Sequence, residues 1–121
     1  MKYMLLCYDN EQAWRDAGPN ALQDAMQEAI ALTHDLAAKG QYIASAPLQP
    51  VATAVSVRIR DGKQIITDGP FAETREVLGG YHIIDVKDLD EAIHVAERHP
   101  GARLGTVEIR PIVELPGLPK L

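Results

Sequence analysis

Apolar residues fill both alternating sets from Tyr3 to Tyr8, with Tyr3, Leu5 and Cys7 on one side and Met4, Leu6 and Tyr8 on the other. A strand with no polar side is expected at the centre of a sheet, covered on both faces. Asp9 to Pro19 then turns polar, ends in Gly18-Pro19 and reads as a loop. Trp14 inside it is expected as a lid over the core edge or as an interface anchor. From Asn20 to Lys39 the period becomes helical: Leu22, Met26, Ala29, Thr33 and Leu36 make a stripe that should face a sheet. Asn20 is a candidate cap, with Gln23 in the capping-box position, and Gly40 is a natural left-handed stop.

Gln41 to Leu48 is a short extended segment closed by Pro47 and Pro50. Thr53 to Arg60 alternates, with Val55, Val57 and Ile59 opposite Ser56, Arg58 and Arg60. Asp61-Gly62 is a hairpin signal, and Lys63 to Thr67 returns as its partner strand. Gly79 to Val86 is the next strand. Asp88 to Glu91 opens a second helix with a capping box; Leu89, Ala92, Ile93 and Ala96 form its stripe, and Pro100-Gly101 ends it. Gly105 to Val113 is the last strand. The order predicts an α+β, ferredoxin-like βαββαβ fold with an inserted β-hairpin, both helices on one sheet face. Residues 1–121 make a single domain, with 114–121 an extended tail. The other sheet face is expected to carry Ser56, Arg58, Arg60, Glu108 and Arg110. A half-polar open face of this kind commonly packs against its own copy, so a homodimer with a polar-lined space between two sheets is expected.

Composition narrows the setting. A chain of 121 residues with 46% hydrophobic and 24% charged residues is ordinary for a globular protein. Net charge is −5 and the 12 basic residues form no cluster, which argues against direct nucleic-acid binding. No apolar run approaches the roughly 18 residues that span a bilayer. One cysteine permits no internal disulfide. A cytoplasmic location is expected, with no membrane partner.

The chemistry-bearing stretch is Thr67-Asp68-Gly69-Pro70-Phe71-Ala72-Glu73-Thr74-Arg75-Glu76. Pro70 fixes its own φ and restricts Gly69, so the corner is stiff. Asp68 either accepts backbone amides and braces the turn, or stands as a placed carboxylate for acid–base work. Phe71 either plugs the core or meets a ligand. Glu73, Arg75 and Glu76 are a solvated ion-pair network, a salt bridge across a dimer, or an anion clamp through Arg75 with a carboxylate as base. His82, just after Gly79-Gly80, is a candidate proton shuttle against the plainer reading of a satisfied strand histidine; the glycines permit close approach of a backbone or ligand. Arg58 and Arg60 are either a charged edge or a draw for a carboxylate or phosphate. No His or Cys spacing matches a zinc site, so no metal and no cofactor are expected, and Cys7 should be inert in its buried strand.

Asp68-Gly69-Pro70-Phe71, followed by Leu78-Gly79-Gly80-Tyr81, resembles the DGPF-motif branch of the YCII-related (YciI-like) family. The resemblance runs from Lys2 to about Pro111. It implies the dimeric α/β-barrel arrangement and no single activity. Its motif residues carry over as Asp68, Gly69, Pro70, Phe71, Glu73, Thr74 and Glu76, with Arg75 where the family pattern usually has Lys. Some members of the wider group are proposed to use a His–Asp pair, the His early in the first helix, and one branch is implicated in dehydrochlorination. This helix begins Asn20-Ala21-Leu22-Gln23, so that pair is not carried over. The branch is also associated by gene neighbourhood with extracytoplasmic-function sigma factors. Two functions follow as expectations. One is a lyase or isomerase acting on a small anionic metabolite in the dimer cleft, with Asp68 or His82 catalytic and Arg58, Arg60, Phe71, Glu73 or Arg75 in contact. The other is a non-catalytic sensor or partner of a sigma factor.

Overall fold

A computed structural model describes residues 1–121. Strand β1 (Lys2–Asp9) is followed by helices α1 (Glu11–Asp16) and α2 (Ala21–Ala38) and by β2 (Tyr42–Pro47). Next come β3 (Val55–Arg60), β4 (Lys63–Asp68) and β5 (Val77–Asp85). Helices α3 (Leu89–Arg98) and α4 (Gly101–Leu104) lead into β6 (Gly105–Pro111). Four strands form one antiparallel sheet in the order β2-β5-β1-β6, the ferredoxin-like order, while β3 and β4 pair only with each other as the inserted hairpin.

β1 is central, as its all-apolar pattern predicts, but it is covered on one face only. Tyr3, Leu5 and Cys7 are buried toward the helices, whereas Met4, Leu6 and Tyr8 are half-buried on the open face. The core joins Tyr3 and Leu5 to Leu32 and Leu36 of α2, Ile84 and Val86, and Ala92 and Val95 of α3. The α2 stripe is therefore rotated from the expected one: Ala25, Leu32 and Leu36 are buried, while Leu22, Met26 and Ile30 stay about half exposed. The expected Asn20 cap is not made. Asp88 does cap α3, its Oδ1 accepting from Glu91 N at 3.0 Å. Gly40 stops α2 at φ +71°, as foreseen.

The segment from Asp9 to Pro19 is not a plain loop. Asn10 Oδ1 accepts from Ala13 N at 3.0 Å and starts α1, a short helix with no buried residue and hence no apolar period to reveal it. Glu11 Oε2 accepts from Val51 N at 3.0 Å and ties α1 to the segment after β2. Ser56, Arg58 and Arg60 do not reach the open sheet face, because their strand belongs to the separate hairpin. Of the residues expected there, Glu108 and Arg110 lie on an edge strand, β6, with Arg110 Nη1 3.6 Å from Glu108 Oε1.

Candidate functional site

A cavity of about 350 Å³ lies between the helix side of the sheet and the underside of α1 and α2. Its two walls differ in chemistry. The helices contribute Trp14, Leu22, Met26 and Ile30. The sheet and the α3–α4 junction contribute Cys7, Asp9, Ser45, His82 and His99. No lysine or arginine lines it. The exposed apolar residues of α2 thus find their role: they roof a pocket instead of entering the core.

Backbone irregularity shapes the floor. Cys7 pairs with Gly80 and Tyr8 with Leu78, so Gly79 is skipped and forms a bulge in β5. Bulges re-aim neighbouring side chains and weaken local pairing. A side chain on Gly79 would collide with the Asp9 carboxylate, and one on Gly80 would lie 2.9 Å from the Ala46 carbonyl oxygen. The two glycines expected to admit a backbone or a ligand admit a carboxylate and the β2 backbone.

His82 is buried, 7% exposed. Thr33 Oγ1 donates to Ala29 O at 2.9 Å, so its oxygen is left to accept from His82 Nε2–H at 3.1 Å. The ring hydrogen then sits on Nε2 and a lone pair on Nδ1, which is buried with no hydrogen-bond partner. His99 is held by the same logic: Gly101 N–H donates to its Nδ1 at 3.0 Å, leaving the hydrogen on Nε2, 3.5 Å from Cys7 Sγ. The two rings meet edge to face with centroids 5.3 Å apart.

Burial governs the charge states. It lowers the pKa of His82. Burial, then His82 and Arg103, bring His99 down to about 4. Burial and next the Asp9 charge push the Cys7 thiol up to about 12. Burial also raises the Asp9 carboxyl, with the Trp14 indole N–H partly offsetting it and Glu11 and Glu76 adding to it. At neutral pH the pocket floor therefore holds neutral imidazoles and a thiol, next to the Asp9 carboxyl group.

The residues singled out in the sequence fall into separate places. His82 is at this cavity. Arg58, Arg60 and Phe71 share a smaller depression of about 210 Å³ with Ser56, Ile65 and Thr67, on the hairpin's polar side. Phe71 is 75% exposed and does not plug the core. Asp68 ends β4, exposed, and neither accepts a backbone amide of its turn nor lines either cavity. Gly69 takes φ +97° at the corner, where its N–H donates to Ala54 O. Glu73 and Arg75 are exposed on the loop that follows. Asp9 and His99 are not among the candidate site residues of the sequence, and Trp14 enters there only as a lid over the core edge or an interface anchor. The available signals were slight: Asp9 is the first charge after an all-apolar strand, and His99 directly precedes Pro100-Gly101.

A family model described as the YCII-related domain matches residues 1–116. An uncharacterized protein, R00369 of Rhizobium meliloti (strain 1021), is 33% identical over 114 residues, 93% of this chain and 92% of that one. Among solved structures, the 5-chloro-2-hydroxyhydroquinone dehydrochlorinase of Burkholderia phenoliruptrix AC1100, in complex with 2,5-dihydroxybenzoquinone, superposes with a TM-score of 0.54 at 13% identity. That match covers 93% of this chain and 94% of the other, and it bears on the fold.

Proposed function

The chain belongs to the YCII-related domain family, and on that footing we propose that it binds a small, largely apolar molecule without negative charge in the cavity beside Asp9 and His82. The lining carries this reading: apolar side chains from two helices face a floor of few polar groups, with a carboxylate and no lysine or arginine. An anionic metabolite would be repelled by Asp9, and Arg58 and Arg60 stand at the other depression. Chemistry of lyase or isomerase type would draw on Asp9 and His82, both on the cavity wall. The dehydrochlorinase of similar fold was solved with a ring compound, and ring compounds are the natural first probes for a cavity of about 350 Å³.

Trp14 is the sole tryptophan and lines the cavity, so its emission reports occupancy. Titration of the chelator-treated protein with phenol, benzylamine and benzoate should give a saturable change with the first two. Benzoate should bind at least about tenfold more weakly, roughly 1.4 kcal/mol. Benzoate binding tightest of the three would overturn the reading.

The hairpin favours a second element of the proposal, a homodimer. Val57 and Ile66, cross-strand neighbours on its apolar face, are each 58% exposed. A lone two-stranded hairpin is marginal in water, and an apolar face of this kind calls for cover. Met4, Leu6 and Tyr8 add apolar surface on the open sheet face. Sedimentation equilibrium should show a dimer that Val57→Asp and Ile66→Asp weaken. A monomer in the unmodified protein at high concentration would contradict the homodimer and favour a different protein partner.

A further inference from the structure

Three strong metal donors converge on the cavity floor from distant parts of the chain. Cys7 comes from β1, His82 from β5 and His99 from the end of α3. One donor atom from each lies within 4.8 Å of the other two. Tetrahedral zinc, at its usual bond lengths, sets a sulfur and a nitrogen ligand about 3.6 Å apart. Cys7 Sγ and His99 Nε2 are 3.5 Å apart.

His82 supplies the second, independent observation. The residue is more than nine-tenths buried, and its Nδ1 has no partner. A buried polar atom left unpaired is costly and calls for an explanation. The opposite ring nitrogen is held by Thr33, which is itself anchored on Ala29 O. Metal-bound histidines are held in this way, with the far nitrogen fixed so that the near one faces the ion.

We propose that Cys7 Sγ, His82 Nδ1 and His99 Nε2 form a three-ligand site for a thiolate-binding divalent cation, Zn²⁺ in the first instance. The site goes beyond the proposed organic ligand and needs none to be present. Loading has a definite proton balance. The Cys7 thiol loses its hydrogen as the S–metal bond forms. At His99 the hydrogen on Nε2 is given up and one is taken on at Nδ1. One proton is thus released per ion. The Gly101 N–H must then turn away from His99 Nδ1, which it now faces. Gly101 opens α4, a single turn, and its amide is the group expected to move.

The test is titration of the chelator-treated, full-length protein with Co²⁺ and then Zn²⁺. One equivalent of Co²⁺ should give a near-ultraviolet thiolate-to-cobalt charge-transfer band, and Zn²⁺ should displace it. Zn²⁺ should also raise Tm and shift the Gly101 amide resonance. Cys7→Ser should abolish the band, with Cys7→Ala as the companion variant if Ser destabilises the strand. Thr33→Val, which keeps all three ligands, should weaken Zn²⁺ binding about 10- to 100-fold. Co²⁺ uptake without the charge-transfer band, equal Zn²⁺ affinity in Cys7→Ser, or no binding below millimolar Zn²⁺ would each overturn the proposal. None of these outcomes depends on phenol binding, so this site and the organic pocket fail separately.

Discussion

The Asp9 carboxylate occupies the space that a side chain on Gly79 would need. The bulge in β5 and the absent Cβ together let a charged group lie flat on the sheet. Gly79→Ala should expel it. The expected cost is about 1–3 kcal/mol by urea denaturation, as for other overpacked sites, with a changed Trp14 emission. Gly80→Ala should cost more, because its new atom would lie 2.9 Å from Ala46 O and 3.3 Å from Pro47 Cα, backbone that cannot swing aside. Equal, negligible losses in both variants would contradict this packing.

Acid should destabilise the fold through its buried histidines. An unfolded histidine titrates near 6.5, whereas folded His99 titrates at about 4 and folded His82 is also lowered. Between those values the unfolded chain holds protons that the folded chain does not. The stabilisation is therefore complete above about pH 6.5 and is lost as pH falls toward 4. Asp9, with its raised pKa, works in the opposite sense at the acid end. Glu28 and Asp35, held low by Arg103 and by Arg98, withdraw their contributions at lower pH still. In chelator-treated protein, Tm measured from pH 7 to 4 should fall less steeply in His99→Gln than in the unmodified protein. Parallel slopes would count against a neutral buried His99.

Alkaline pH gives a separate limb. The Cys7 thiol is pushed from 9.0 up to about 12 in the folded chain. A raised folded value stabilises fully below about pH 9, and that contribution is lost as pH climbs toward 12. In chelator-treated protein at pH 8, a thiol reagent should react far more slowly than with an unstructured thiol. Labelling at the rate of an exposed thiol would show that β1 leaves Cys7 open.

Leu36 anchors α2 on the sheet, fully buried within the core cluster. Leu36→Ala should cost about 2–5 kcal/mol. Leu22→Ala, on the exposed side of the same helix, should cost far less and instead alter ligand affinity. Thermal denaturation of the two variants separates core from pocket roof. Equal losses would merge them.

The frame was legible because its signals are periodic or local. The apolar run of β1, the Asp61-Gly62 turn, the Asp88 cap and the Gly40 stop all appear where the residues place them. The site was legible only at His82 and its two glycines. α1 escaped notice because a six-residue helix without a buried face has no period to read. The α2 stripe reads as a face against the sheet because a pocket roof and a core face share one spacing. Cys7, His82 and His99 meet through sheet register and the α3 terminus. Sequence spacing cannot encode such a meeting, and a search for zinc-site spacings passes over it.

The most direct test of the proposed pocket is an amide and indole NMR titration with phenol. Perturbations should cluster at Gly79, Gly80, Gly101 and the Trp14 indole, which surround the cavity. Perturbations centred on Ser56, Arg58 and Phe71 would move the binding site to the hairpin depression and contradict the account.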